Sequence, residues 1–579
     1  MLDMQLADDA TTTARRWLSL LESALGNGDG GAVAALFGED GSWRDLLAFT
    51  SDLRTFSGHE QIAKGAKEIA AAGTTTGFAV VEPLSAVHDE RFGRGCLQVT
   101  FAFGCASGTG RGLARLVEDD AGAFKFWTLL TSLETLKGLR ERNGPHRPRG
   151  TEYSRGFGRE NWLDHRLAAQ RFADHNPEVL IVGAGQAGLA LGARLTQMGV
   201  DNLIVDRTAR IGDNWRQRYH SLTLHNVVWT NHLPYLPFPP SFPVFIPKDK
   251  LANWFESYAD AMELNFWTGT EFLGASRDER RGSWTARLRR DGGMRQLEAR
   301  HIVVATGVSG IPNVPPLPGL GEFSGSVMHS SRYGEGAAYR GKRALVVGTG
   351  NSGHDIAQDL YCSGAEVTIM QRSPTTIVSI EPGALRSYSL YQEGCVVEDS
   401  DLLTLSLPYS LMRTLAQRLT IQANDSDREI LDALHAVGFE TDNGEDGTGW
   451  QFKYLRKGGG YYFNVGCSEL IAGREIALRH HRDLRRFTSG GAEFSDGSFL
   501  QLDLVVLATG YRPMEGFVEE KFGGEVAARL GPVWGFDEQG EMRNVWKRTP
   551  QPGLWFIMGS LAHARIFSRY LGMQIWMDR

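Results

Sequence analysis

Apolar residues near the start of the chain recur at helical spacing. Trp17, Leu18, Leu21, Ala24 and Leu25 share one face, and Ala32 to Phe37 forms a second helical patch after the turn Gly-Asn-Gly-Asp-Gly-Gly. The period then falls to two: Leu97, Val99, Phe101 and Phe103 alternate with Gln98, Thr100 and Ala102, and Leu113 to Val117 and Phe124 to Leu133 read as further antiparallel strands. Helices followed by a curved sheet predict a small α+β cone-like domain. Arg140 to Arg155 is polar and charged, carries Pro145 and Pro148, and reads as a linker. Beyond it, short apolar strands alternate with helices and glycine turns, the pattern of a doubly wound α/β region. The predicted fold class is therefore α/β behind the α+β cone; the two glycine turns and the family resemblance given below divide the α/β part into two dinucleotide-binding (Rossmann-like) domains, the first of them discontinuous. The expected division is 1–139 for the cone, 140–171 for the linker, 172–333 and 480–579 for the first dinucleotide domain, and 334–479 for the second.

Composition changes this picture little. A chain of 579 residues with 42% hydrophobic and 22% charged residues and net charge −7 offers no electrostatic argument for nucleic acid or an anionic membrane surface. No apolar run reaches the roughly 18–20 residues that span a bilayer, and Met1 to Asp9 lacks a basic segment followed by an apolar core. A cytoplasmic protein acting on a small molecule is the expectation. Cys96, Cys105, Cys362, Cys395 and Cys467 are scattered without metal-ligand spacing, so neither a metal site nor a dithiol is expected.

The chemistry is concentrated in two glycine turns. Gly183, Gly185 and Gly188 follow the strand Val179-Leu180-Ile181-Val182 and open a helix, and the next strand, Leu203-Ile204-Val205, ends in Asp206. The first glycine permits the tight turn, the second lets a diphosphate approach the backbone, and the third allows helix–strand packing, while Asp206 suits a ribose hydroxyl. Gly348, Gly350 and Gly353 repeat the arrangement, with Asn351 and Ser352 at the helix start, but the following strand, Glu366 to Met370, runs into Gln371-Arg372-Ser373. An acid there would repel a 2′-phosphate, whereas Arg372 can pair with it and Ser373 can donate to it, so the second cradle is expected to prefer NADPH. Asp355 suits the positive end of the second helix, and His354 beside it is not expected to be catalytic.

Between the cradles, Phe323-Ser324-Gly325-Ser326-Val327-Met328-His329-Ser330-Ser331-Arg332-Tyr333 fits the Phe-x-Gly-x-x-x-His-x-x-x-Tyr signature of flavin-containing monooxygenases. From about Glu160 to the C-terminus the chain resembles that family. Trp215 to Tyr219, Leu233 to Pro239 and Pro247 to Lys250 resemble its plant YUCCA-type branch and microbial relatives. The resemblance implies FAD in the first cradle, with Asn214 and Trp215 in the stretch beside the flavin, and NADPH in the second. It also implies that the Ala-Thr-Gly segments containing Thr306 and Thr509-Gly510 are chain crossings. NADPH would reduce FAD, O2 would add at the flavin C4a carbon, and one oxygen atom would pass to a small lipophilic amine, sulfide or carbonyl compound, including a 2-oxo acid. The N-terminal cone resembles the fold of nuclear transport factors and polyketide cyclases, which can hold a ligand or make homodimer contacts.

Several assignments stay open at this level. Either His225 or Asn226 stands in for the asparagine that many relatives carry near the flavin. His329 either braces the two domains or serves as a general acid. Leu233 to Pro247 and Trp450 to Phe463 are candidate lids, and Gly559 to Arg565 is expected to bring the last helix's start towards the flavin. A carboxylate substrate needs a basic anchor, for which Arg216, Arg218 and Lys248 are candidates. Baeyer–Villiger enzymes place Trp where Tyr333 stands, so ester-forming chemistry is the alternative. A flavin reductase or oxidase without oxygen insertion, and an idle flavoprotein used for binding, complete the set.

Overall fold

The computed structural model describes residues 2–73, 76–81, 87–89, 92–149, 153 and 157–579. Helices Leu2–Gly26, Gly30–Ala35 and Gly58–Ala72 cover a seven-stranded sheet. Strands Leu53–Ser57, Phe37–Leu46, Phe124–Leu136, Gly108–Glu118, Cys96–Cys105 and Thr76–Val80 follow one another across it, with Val87–Asp89 also on Cys96–Cys105. Phe37–Leu46 runs parallel to Phe124–Leu136, and the other pairings are antiparallel. The interior is filled by aromatic side chains, among them Trp43, Phe56, Phe101 and Phe126, all buried. The cone is thus an α+β unit whose centre is packed with side chains.

Two five-stranded sheets, parallel throughout, carry the cradles. In the first, Phe266–Trp267, Asn202–Val205, Val179–Val182, His301–Val304 and Leu554–Phe556 lie in that order. In the second the order is Ser326–His329, Leu504–Leu507, Arg343–Val347, Glu366–Gln371 and Ala477–His480. The central strands are apolar on both faces, as helices on both sides of a parallel sheet require. Strand pairing therefore shifts the expected division: Ser326–His329, within 172–333, and Leu504–Leu507, within 480–579, both join the second sheet. Ser326–His329 is a short, largely exposed edge strand and Leu504–Leu507 is buried on both faces, so neither carries a mark of which parallel sheet it enters.

Two further elements bear on the site. A mostly helical insert, including Val397–Leu405, Tyr409–Ser426, Arg428–Ala436 and Gly449–Lys457, separates Thr376–Ser379 from Tyr461–Asn464, which pair with each other. The closing helix Leu561–Met577 packs on the first-cradle helix Gln186–Gln197. Residues 150–152 and 154–156 of the expected linker lie outside the described residues; its later part holds the helix Trp162–Arg171, started by a reciprocal cap between Asn161 and Asp164.

Candidate functional site

The two cradles have matching backbones. Gly183 and Gly348 sit at φ +117° and +116°, a region that disfavours side chains. A Cβ at Gly183 would come 2.6 Å from the Ala305 carbonyl oxygen, and one at Gly348 would collide with that of Ala508, so each Ala-Thr-Gly segment presses on the first glycine of its own cradle. Side chains at Gly188 and Gly353 would strike the carbonyls of Gly183 and Gly348, which makes the third glycine a packing position. Around Gly350 the nearest obstruction to a Cβ is the Tyr461 carbonyl at 3.8 Å, leaving the backbone approachable.

Several polar atoms at the first cradle await a partner. Asn214 Oδ1, Trp215 Nε1 and Thr306 Oγ1 are buried without a hydrogen bond. Each orphaned group costs about 1–3 kcal/mol. The cradle thus fits a polar, planar ligand bound against these residues. Asp206 holds the turn itself: its carboxylate accepts from the Ala184 amide (2.7 Å), the Thr208 amide (2.8 Å) and the Thr208 hydroxyl (2.7 Å). The first-cradle helix starts beside the closing helix, Gln186 Nε2 donating to the Gly559 carbonyl (3.1 Å).

At the second cradle, Gln371 takes the place of Asp206 and is buried, exchanging hydrogen bonds with the Glu440 backbone. Arg372 and Ser373, next along, are exposed, and Arg372 has no ion pair among the described residues. Asn351 Oδ1 accepts from the Phe463 amide (2.9 Å), so this side chain is partly committed to the insert's flank, while Ser352 stays at the helix start. His354 is fully buried, stacks on Tyr462 at 3.9 Å, and is lowered to about 4 by desolvation.

The crossings between the sheets pair with each other. Asn313 N donates to the Gly510 carbonyl (2.9 Å), Arg512 N to that of Ile311 (2.8 Å), and the Thr509 hydroxyl to that of Asn313 (2.6 Å). His329 completes the junction. Its Nε2–H donates to the Gly510 carbonyl (3.0 Å), and Nδ1 accepts from the Ser331 amide (3.1 Å). Both nitrogens are engaged, and burial lowers the imidazole's pKa. Tyr333 is buried with its hydroxyl on Asp359 (2.6 Å), so the residue at this signature position acts by packing. A second tie runs from the Tyr219 hydroxyl to Asp355 (2.5 Å) on the second-cradle helix.

The segment Trp450 to Phe463 reaches His225, and the end of Leu233 to Pro247 pairs with the strand Thr223–Val227 that carries it. The His225 ring lies edge-on to Phe463 at 5.3 Å, Phe463 packs on Trp450 at 4.8 Å, and Trp450 on Tyr388 at 6.1 Å. Tyr388 returns to the same strand by accepting from Asn226 Nδ2 (2.8 Å). The Asn226 amide nitrogen is thus committed, whereas burial lowers His225 to about 4 and no hydrogen bond engages its ring among the described residues. Of the three cationic anchors, Arg216 pairs with Asp213 and Glu256, and Lys248 is buried on Asp249 and the Arg216 carbonyl. Arg218 alone of these has no acid: it donates to the Asn214 carbonyl (3.2 Å) and the Tyr511 hydroxyl (2.9 Å). Tyr511, which also packs on His329, directly follows the second Ala-Thr-Gly segment but carries no role in that motif, and Tyr388 stands in no motif. Among the described residues no group is arranged to hold a metal, and no helix is long and apolar enough to cross a membrane.

Two parallel sheets, each opening a helix through a glycine turn and joined by paired crossings, define a two-dinucleotide oxidoreductase. The family model for pyridine nucleotide-disulphide oxidoreductases matches residues 180–382. Indole-3-pyruvate monooxygenase YUCCA1 of Oryza sativa subsp. japonica is 33% identical over 357 residues, covering 60% of this chain and 80% of that protein. Probable indole-3-pyruvate monooxygenase YUCCA3 of Arabidopsis thaliana is 32% identical over 342 residues, 58% of this chain and 72% of that protein. The chain belongs to the YUCCA-type flavin monooxygenases. Among solved structures, the OTEMO complex with FAD and NADP shares the fold at TM-score 0.51 and 16% identity, over 70% of this chain and 85% of that one. A cyclohexanone monooxygenase does so at TM-score 0.50 and 17% identity, over 69% and 88%.

Proposed function

We propose that the protein uses FAD and NADPH to oxygenate a small aromatic 2-oxo acid, the class named for its rice and Arabidopsis relatives. The observation that carries the substrate class is Arg218, a cation without an acid partner among the described residues, tied to the flavin-side stretch by Asn214 and to the crossing by Tyr511. A carboxylate bound there would gain charge-assisted hydrogen bonds from the guanidinium. The aromatic ring formed by His225, Phe463, Trp450 and Tyr388 suits a planar body.

In this reading the first cradle holds FAD through the turn Gly183, Gly185 and Gly188, with Asp206 towards the ribose and Asn214, Trp215 and Thr306 using their unpartnered atoms. The second holds NADPH through Gly348, Gly350 and Gly353, with Asn351 and Ser352 at the helix start, Arg372 and Ser373 on the 2′-phosphate, and Thr509 and Gly510 at the crossing. Bound FAD supplies the two-electron chemistry, taking hydride from NADPH and activating O2. His329 holds the crossing, since both of its nitrogens are engaged. His225, neutral and unbonded, is the polar group that meets the reacting atoms; Asn226 positions Tyr388. The aromatic ring excludes water from the cleft. Overall, one atom of O2 enters the new carboxylate as the bond to the original carboxyl group breaks and CO2 leaves; the other becomes water with the hydride of NADPH and one proton.

Turnover of phenylpyruvate under isotopically labelled O2 tests this. One labelled oxygen in each phenylacetate, with one NADPH consumed, is expected. Arg218→Ala should raise KM for phenylpyruvate by about tenfold or more, the loss of one charged hydrogen bond, and leave KM for the neutral ketone phenylacetone unchanged. NADPH consumption that yields only hydrogen peroxide with every arylpyruvate overturns the reading.

A further inference from the structure

A pocket of about 520 Å³ lies at the seam between the N-terminal sheet and the insert helix Tyr409–Ser426. Its volume falls within the range of about 300–1,000 Å³ usual for small-molecule sites. None of the residues assigned above to FAD, NADPH or substrate lines it. Phe92, Trp127 and Leu411 supply apolar surface, and Arg94 and Arg418 supply positive charge. Arg94 already has an acid, Asp40, at 3.3 Å, and lies 5.7 Å over the Trp127 ring. Arg418 has neither an ion pair nor a hydrogen bond among the described residues.

Arg418 is nevertheless placed closely. Gly93 sits at φ +82°, where side chains are disfavoured, and Arg418 Nη1 lies where a Cβ would stand, so the guanidinium rests against the bare backbone of the turn. A guanidinium set against a bare backbone, without a counter-ion among the described residues, at the edge of an aromatic surface is complementary to a ligand with an anionic end and a flat apolar body. We propose that this seam binds a small aromatic monocarboxylate, its carboxylate on Arg418 and its ring against Trp127.

The site stands apart from the reaction proposed above, and its helix links it to the aromatic ring there. Thr420, half a turn beyond Arg418, abuts Gly449 at the start of the segment that carries Trp450, and Ala423 packs with Tyr461 and Phe463. An occupant of the seam holds that helix to the N-terminal sheet.

Calorimetric titration of the FAD-loaded full chain with benzoate and with neutral benzamide tests the proposal. Benzoate is expected to bind at least tenfold more tightly than benzamide. In the Arg218→Ala background, which removes the reaction cleft's own carboxylate anchor, benzoate should still bind; adding Arg418→Glu should weaken that binding tenfold or more, and adding Arg418→Lys should keep most of it. Arg418 is exposed and outside the reaction cleft, so NADPH oxidation in Arg418→Glu should match the parent and certify its fold. Absence of benzoate binding, equal affinity for the two probes, or an unchanged affinity on adding Arg418→Glu overturns the seam site. Loss of benzoate binding in Arg218→Ala with none in Arg418→Glu does so as well, by placing the anion in the reaction cleft.

Discussion

His354 shows how much a single buried side chain can say about pH. Desolvation lowers it from 6.5 to about 4, so between those values the unfolded chain takes up a proton that the folded chain refuses. The stability it contributes is whole above the ordinary histidine pKa and falls as pH falls. At about pH 5 the loss from this residue is about 2 kcal/mol. His354→Phe, which keeps the stack on Tyr462, should therefore narrow the fall in denaturant midpoint between neutral pH and about pH 5 relative to the parent. A fall of equal size in both proteins would remove His354 from the acid response. Arg372 sets a second expectation at this scale. Arg372→Ala should cut the NADPH-to-NADH ratio of kcat/KM by about ten- to a hundredfold, the worth of one charged hydrogen bond to phosphate. Steady-state kinetics with both coenzymes measure it directly, and an unchanged ratio would show that the exposed arginine never meets the coenzyme.

The elements of the two cradles differ in what they hold but not in how they are built. Because the third glycine of each meets the carbonyl of the first, Gly188→Ala and Gly353→Ala must each push a helix away from its turn. Gly188→Ala should purify depleted of FAD, with affinity down about tenfold or more, and Gly353→Ala should retain FAD but show a similar rise in KM for NADPH. Absorbance of the bound flavin and coenzyme kinetics separate the two. These turns were legible in the sequence because glycine spacing is a local constraint, and so were the strand ends that tell Asp206 from Gln371. The strand Phe37–Leu46 was not. It carries Gly38, Glu39, Asp40, Gly41, Arg44 and Asp45, a pattern that reads as a turn. Asp45 is buried there because Thr50 and Thr131 donate to it, and Arg44 is held part-buried by Glu541, far along the chain. Partners that distant leave no local trace. The helix Trp162–Arg171 was missed for a different reason, since Asn161 and Asp164 do signal its start.

Across the whole molecule, polar contacts weld the N-terminal unit to the catalytic part. Arg44 makes a bidentate pair with Glu541 (2.7 and 2.6 Å), to which the Thr55 hydroxyl also donates, and Glu541 is only 4% exposed. Burial alone would raise this carboxyl, but Arg44 holds it below its ordinary value. Arg569 of the closing helix pairs with Glu134, and Tyr570 bonds Ser132. Glu541→Ala leaves Arg44 uncompensated and should cost about 3–5 kcal/mol, whereas Arg44→Met with Glu541→Leu should recover much of that loss. Calorimetry reads both: a single transition in the parent should separate into two in Glu541→Ala, the N-terminal unit melting apart from the rest. If the single variant unfolds as one unit with the parent's midpoint, the pair is not what joins them.

The strand order also sets a timetable for synthesis. The N-terminal sheet is complete once Leu136 has left the ribosome, but Ser326–His329 pairs only with Leu504–Leu507. For the time needed to translate the intervening stretch, that strand has no neighbour to bond, and the first sheet likewise waits for Leu554–Phe556 at its edge. A nascent chain arrested after the second glycine turn thus carries a finished cone and two unfinished nucleotide sheets, with exposed edges that are natural places for a chaperone to hold.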